Sequence, residues 1–358
     1  MPFDADLPLA QARTIPSSWY FDPDVHAAEC RAVFGGTWQA VGRADQVREP
    51  GQFFTLDLAG EPLVLVRGDD RELRAFFNVC RHRAARVLPD AEGRVTRLRC
   101  RYHGWTYDLC GRLRGTPEFD GVADFRREDN GLPPVAVAVW GPLVWAHLGP
   151  NPPPLADYLA PLPERAGLLK LDSLHFAARR EYRLACNWKV FVDNYLDGGY
   201  HVNTVHPGLA GVLDYSQYRT EIAGNTAVQV SPMRASGDAV GGVRAGANAY
   251  YWWVFPNVML NVYEGVMDTN LVLPLGPDAC RVVFDVYFAA EGEPAAESFR
   301  ARSMEVAHQI QLEDVGICEE VQRGLRSRSF DTGRFSVRRE AAGYHFHQLL
   351  ARQLRQLV

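Results

Sequence analysis

Apolar residues in this chain come in short alternating runs cut by turn signals, at 38–41, 53–58, 62–66 and 73–77, with Ala59-Gly60 and Gly68-Asp69-Asp70 between them. The pattern predicts a meander of short strands, which 137–140 and 143–146 close into a small β-rich domain. A second series of strand-like runs follows at 176–184, 226–230, 250–255, 258–262, 271–273 and 282–288. Helical periodicity appears at two places in this second half. Over 187–206, Trp188, Phe191, Val192, Tyr195 and Leu196 recur at three- and four-residue steps until Gly198-Gly199 interrupts them. Over 298–325, Ala307, Ile310, Asp314, Ile317 and Val321 share one face, so an acid interrupts an apolar stripe. A shorter helix is predicted after Asp24, in the segment HAAECRAVF.

The proline-rich stretch 151–163, NPPPLADYLAPLP, is expected to exclude a regular helix or a central strand, and the domain boundary is placed there. The predicted organisation is an N-terminal segment, 1–36, packing on the second domain; a β-rich domain, 37–150; a linker, 151–163; and an α+β domain, 164–358, with helices on an antiparallel sheet. A chain of 358 residues suits two domains.

Charge narrows the function. The net charge is -5 with acids and bases interspersed, so neither nucleic acid nor an anionic membrane is the expected partner. An early acid and no long apolar run near Met1 speak against a secretory or membrane-spanning segment. The cysteines number seven, which is odd, and five of them, Cys30, Cys110, Cys186, Cys280 and Cys318, are scattered as suits buried free thiols in a reducing cytoplasm, where the protein is expected.

The other two cysteines stand apart. Cys80 with His82, and Cys100 with His103, each set a thiolate beside an imidazole, with a connector of hairpin length between the pairs. A zinc site of two Cys and two His is the first competitor, but zinc fingers pair like ligands, C-x2-4-C and then H-x3-5-H. Mixed halves suit a Rieske 2Fe-2S cluster, in which two Cys hold one iron and two His the other. No cysteine lies between Cys80 and Cys100, and Tyr102 stands beside His103. The disulfide of respiratory-type Rieske proteins is therefore missing, which points to the oxygenase and ferredoxin branch.

His201 and His206 follow the glycine break, and Asp314 sits in the apolar stripe of the second helix. A buried carboxylate needs a cation. Two His and one carboxylate form the facial triad of non-haem Fe(II) oxygenases, which leaves coordination positions open. A one-electron cluster upstream needs an acceptor, and this site supplies one.

With these residues in view, nearly the whole chain resembles the α-subunit of Rieske non-haem iron oxygenases, in particular the choline monooxygenase-like group. The C-x-H and C-x2-H-G-W motifs carry the resemblance, together with SSWYFDP, CNWKVFVDNYLDGGYHV, EDVGICEEVQRGLRS and GYHFHQLL. It implies a Rieske domain followed by a helix-grip (START-like) catalytic domain. It also implies a 2Fe-2S cluster on Cys80, His82, Cys100 and His103, and mononuclear Fe(II) on His201, His206 and Asp314. Family members commonly place an acid three residues before the first iron His, as a bridge to a cluster His of the next subunit. Here that slot is Gly198, so Asp197, on nearly the same helical face as His201, is expected to be the bridge, with Asp193 and Asn194 before it.

The activity so implied is hydroxylation of a small organic substrate with O2 and electrons from a flavin-dependent NAD(P)H reductase or a ferredoxin, in a homotrimer. Five aromatics in the six positions from Tyr250 to Phe255, with Tyr263 on the next strand, suggest Tyr251, Trp253, Phe255 and Tyr263 as rings around a quaternary ammonium group. A choline-like oxidation or an N-demethylation would follow. The alternatives are a ring hydroxylase or O-demethylase acting on an aromatic or other apolar compound, and a Rieske electron carrier without catalysis.

Overall fold

The computed structural model describes residues 3–167, 171–234, 240–289 and 294–355. The chain divides into two compact units, Cys30–Leu155 and Met1–Glu29 with Ala156–Val358.

In the Cys30–Leu155 unit the strands are β1 (Gln39–Arg43), β2 (Gln52–Leu58), β3 (Glu61–Arg67), β4 (Leu73–Phe77), β5 (Glu92–Arg94), β6 (Leu98–Arg99), β7 (Thr106–Tyr107), β8 (Leu113–Gly115), β9 (Pro134–Trp140) and β10 (Leu143–His147). Seven form one antiparallel sheet in the order β1-β10-β9-β4-β3-β2-β5, and β6-β7-β8 form a small second sheet. Strand alternation divides the core: Leu63, Leu65 and Ala75 face one cluster, while Val64, Val66 and Phe76 face another that also holds Cys80, Cys100, Trp105 and Tyr107.

The second unit opens with α1 (Pro23–Glu29), which gives way to a π-helical turn at Cys30–Phe34. Two short helices, α2 (Leu155–Leu159) and α3 (Leu162–Ala166), occupy part of the proline-rich stretch that was expected to exclude regular structure. They fit because Leu155 follows the last of three prolines, and Pro163 sits in the first turn of α3, where no backbone N–H is needed. Then come β11 (Leu174–Leu184), α4 (Trp188–Tyr195), α5 (Val202–Val205), α6 (Pro207–Val212), β12 (Arg219–Ala223), β13 (Thr226–Pro232), β14 (Asn248–Val254), β15 (Val258–Tyr263), β16 (Val266–Gly276), β17 (Ala279–Ala289), α7 (Pro294–Leu325) and α8 (Ala341–Arg355).

The seven strands pair antiparallel in the order β11-β17-β16-β15-β14-β13-β12, so only the first strand crosses to pair with the last. Ala307, Met304 and Ile310 of α7 pack with Phe284, Val286 and Phe288 of β17. The N-terminal segment is tied to the same unit: Tyr344 Oη donates to the carbonyl of Leu7 at 2.6 Å, and Lys189 Nζ meets Glu29 Oε1 at 2.6 Å with both side chains fully buried.

One expected stripe changes along α7. Ile317 and Val321 are 37% and 44% exposed, and Cys318, Gln322 and Leu325 carry the buried face instead. Steps of three and four repeat every 3.5 residues and drift about 20° per heptad against a straight helix, which moves Ile317 and Val321 to the rim.

Candidate active site

The two Cys–His loops fold alike. Cys80 N–H donates to the carbonyl of Ala85 at 2.8 Å and Cys100 N–H to that of Trp105 at 2.9 Å, while the amides of Ala84 and Gly104 return to the carbonyls of Cys80 and Cys100. Ala84 and Gly104 both have positive φ, +58° and +75°, which closes each loop. The fold thereby brings the His82 and His103 rings to 4.7 Å, with His82 stacked on Trp105 at 4.9 Å. Both thiols are buried and free of disulfides.

The donors fit a cluster. His82 Nδ1 is buried with no hydrogen-bond partner among the described residues. Burial, together with the adjacent Cys80 sulfur, pushes the Cys100 thiol up. Two thiols held this way become thiolates when a cation compensates them. Tyr107 Oη accepts from Arg81 N–H at 3.0 Å and lies 3.5 Å from Cys80 Sγ, a polar neighbour for the sulfur.

In the other unit, α4 ends at Tyr195 and the chain turns through Gly198 and Gly199, at φ +71° and +70°. A Cβ on Gly198 would stand 2.2 Å from the Arg339 carbonyl oxygen. This crowding explains why the slot three residues before His201 holds no acid. Asp197 reaches His201 through a turn rather than along a helical face: its carboxylate accepts from Tyr200 N–H and His201 N–H, and Oδ2 lies 2.6 Å from His201 Nδ1.

His201, His206 and Asp314 converge, with one ligand atom from each all within 4.8 Å of one another. Asp314 Oδ1 is 3.1 Å from His206 Nε2 and 3.8 Å from His201 Nε2. Both imidazoles are held from behind, and Asp314 is held by the oxygen that faces them. Asp197 takes His201 Nδ1, Glu313 Oε2 takes His206 Nδ1 at 2.7 Å, and Asn194 Nδ2 donates to Asp314 Oδ1 at 2.7 Å. Burial works against the charged form of His206, but the carboxylates of Asp314 and Glu313 outweigh it and raise its pKa. A surplus of carboxylate around two imidazoles is the donor set of a divalent cation.

A half-open cavity of about 720 Å³, open solvent included, adjoins this set. Sheet register builds its wall, because Gln229, Tyr251, Asn261 and Asp268 are successive cross-strand partners and share one face. Tyr195, Tyr218 and Tyr263 add three more phenols to that wall. Of the four expected substrate rings, Tyr251 and Tyr263 line this cavity and Trp253 and Phe255 do not. They pack instead against Phe346 of α8, at 5.7 and 6.4 Å. Alternation had the face right, but α8 covers the far end of the strand.

Glu313 behind His206, and Tyr195 and Tyr218 in the wall, are among the site residues that sequence reasoning missed. The only signal for Glu313 was its position next to Asp314, where a helical acid ordinarily faces solvent.

A pair of Cys–His loops in one unit offers the donors of a 2Fe-2S cluster, and a two-His-one-carboxylate set beside a half-open cavity in the other offers those of a mononuclear iron. Residues 37–126 match the family described as Rieske [2Fe-2S] domain, and residues 171–356 match the ring hydroxylating alpha subunit (catalytic domain). The chain belongs to the Rieske non-haem iron oxygenase α-subunits. It is 42% identical to the chloroplastic choline monooxygenase of Arabidopsis thaliana, over 99% of this chain and 86% of that protein. To the carnitine monooxygenase oxygenase subunit of Escherichia coli (strain K12) it is 30% identical, over 95% and 94%. A solved structure of the quaternary ammonium Rieske monooxygenase CntA, described with inter-subunit electron transfer, superposes with a TM-score of 0.89 at 28% identity, covering 99% of each chain. The cofactors are accordingly a Rieske 2Fe-2S cluster and a mononuclear iron, and electrons come from a reductase or ferredoxin. Among the described residues no helix is long and apolar enough to cross a membrane.

Proposed function

We propose that this chain hydroxylates a carbon bonded to nitrogen in a quaternary ammonium compound. One observation carries the reading: the chamber beside His201, His206 and Asp314 is walled by Tyr195, Tyr218, Tyr251 and Tyr263. Burial holds the phenols of Tyr195, Tyr218 and Tyr251 well above their ordinary pKa, so they stay neutral and offer rings to the cavity, while the Tyr263 ring already carries the Arg244 guanidinium 4.9 Å from its centroid. Each such face contributes about 0.5–2 kcal/mol toward a cation that has left water. The choline and carnitine monooxygenases among the relatives support the same class.

In this reading Cys80, His82, Cys100 and His103 hold the cluster, and His201, His206 and Asp314 hold the iron. Bound there, the cluster supplies electrons one at a time and the iron supplies reductive activation of O2. The chain's own residues do the positioning. Asp197 and Glu313 keep a proton on each Nδ1, which leaves each Nε2 lone pair free to bind, and Asn194 fixes the Asp314 carboxylate. Phe191, Val202, Leu209 and Phe284 give the lining beside them its apolar part. A flavin-dependent NAD(P)H reductase is the donor we favour, and Asp197 is the residue we assign as the bridge to a cluster His of the next protomer in a cyclic homotrimer.

A second reading, hydroxylation or O-demethylation of a neutral aromatic compound, draws support from Phe191, Val202, Leu209 and Phe284 in the same wall. NADH- and O2-dependent product formation with choline, glycine betaine and carnitine, against their tert-butyl isosteres and neutral aromatics, separates the two. The cations are expected to bind at least about tenfold more tightly than the isosteres. Equal binding puts the aromatic reading ahead.

A further inference from the structure

Two segments singled out in the sequence, SSWYFDP and GYHFHQLL, meet on one residue of α4. Tyr20 Oη donates to Asp193 Oδ2 at 2.5 Å, and His347 Nε2 lies 2.9 Å from Asp193 Oδ1. The Ile15 N–H points at His347 Nδ1 from 3.2 Å, so that nitrogen accepts, and the ring proton sits on Nε2 and is donated to Asp193. Burial first, and then the Asp193 carboxylate, hold the Tyr20 phenol well above its ordinary pKa, so it keeps its proton and donates. Both donors are buried, and each Asp193 oxygen is taken by one of them.

α4 needs such a hold. It has eight residues, too few to be stable on propensity, and a carboxylate in its last turn stands at the negative end of the helix dipole. Just beyond it the chain turns through Gly198 and Gly199, both at positive φ. Asp193 and Asn194 are consecutive and point about 100° apart. Asp193 is gripped by Tyr20 and His347, while Asn194 Nδ2 donates at 2.7 Å to the Asp314 oxygen that faces both imidazoles. One helical turn is thus held on one side by the N-terminal segment and α8, and on the other it holds Asp314. The grip is itself anchored, because Gln322 Nε2 of α7 donates to the Tyr20 carbonyl at 3.2 Å and Ser17 N–H donates to the Asp331 carbonyl at 2.7 Å. Tyr20, Asp193 and His347 line a second cavity and are absent from the lining of the one beside the tyrosines.

We propose that Tyr20 and His347 are positioning residues of the iron site: by fixing Asp193 they fix the turn that aims Asn194 at Asp314. The inference rests on the assignment of iron to His201, His206 and Asp314, and it makes the N-terminal segment part of a site whose nearest contact, Asp193, is 173 residues further along the chain. Loss of either donor frees one Asp193 oxygen and lets the last turn of α4 shift, and Asn194 moves with it. The Asp314 carboxylate is then held less well, which lowers iron retention and turnover but leaves the substrate cavity as it was.

The test is iron retention of the holoenzyme dialysed against graded chelator, with the reduced-cluster EPR signal and the denaturant midpoint followed in parallel. Tyr20→Phe and His347→Leu are each expected to weaken retention by about three- to tenfold with the cluster signal unchanged. His347→Gln, whose amide N–H can reach the same Asp193 oxygen, should restore part of the loss. In all three, kcat should follow retention while KM stays at its wild-type value. The route is read by a double-mutant cycle: in Asn194→Ala, where the arm to Asp314 is gone, adding Tyr20→Phe should weaken retention by less than about twofold more. Wild-type retention in both Tyr20→Phe and His347→Leu, with only the midpoint lowered, makes these contacts part of the fold alone and overturns the proposal. An undiminished Tyr20→Phe effect in the Asn194→Ala background overturns it as well, since the coupling then bypasses Asn194. Asp314→Ala is the reference, and wild-type retention there would remove the iron-site assignment itself.

Discussion

Glu313 Oε2 lies 2.7 Å from His206 Nδ1, on the side of the ring away from Asp314. Consecutive residues of one helix thus serve a single imidazole, Glu313 from behind and Asp314 from in front. The arrangement makes Glu313 a positioning residue. Glu313→Ala is expected to weaken iron retention by about 10–100-fold while the cluster stays loaded, and Glu313→Gln less, because its amide oxygen still accepts. Iron content after dialysis against graded chelator reads this directly. Unchanged retention in Glu313→Ala would make the contact incidental.

Gly198 carries a stability prediction. Any side chain there takes on a left-handed backbone, costing about 1 kcal/mol or more, and also pushes on the Arg339 carbonyl. Gly60 is the control, since it has φ +87° with open space around it. Gly198→Ala should lower the denaturant midpoint clearly more than Gly60→Ala. Equal shifts would show that the Arg339 contact relaxes freely.

Much of this was readable from the chain before folding, and the rest has physical reasons. Strand 73–77 is found at the same bounds because its alternation is flanked by turn residues on one side and a ligand loop on the other. β12, Arg219–Ala223, was not expected: it is an edge strand with mostly polar, exposed residues and no apolar alternation to betray it. The cluster ligands lie within 24 residues and advertise themselves locally, whereas Asp314 is 108 residues beyond His206 and acquires meaning only beside the His pair. Tyr20 and His347 stand in segments that carry the resemblance, but nothing along the chain pairs either with Asp193. The three meet only because the N-terminal segment and α8 both pack against α4.

Asp197 gives a kinetic prediction. Its carboxylate holds His201 and is the assigned bridge between protomers, so Asp197→Asn should slow oxidation of the reduced cluster in stopped flow while both metals remain bound at wild-type content. Assembly is tested with it. A monomer fully active at nanomolar dilution contradicts the inter-protomer route.

The division of labour between the two ligand sets is the centre of the account, and the EPR spectrum of the reduced cluster tests it most directly. In His201→Ala and Asp314→Ala, turnover is expected to vanish while the reduced-cluster signal stays at wild-type intensity, and in Cys80→Ala both are expected to vanish. A His201→Ala protein that keeps its fold but loses the cluster signal would contradict the assignment.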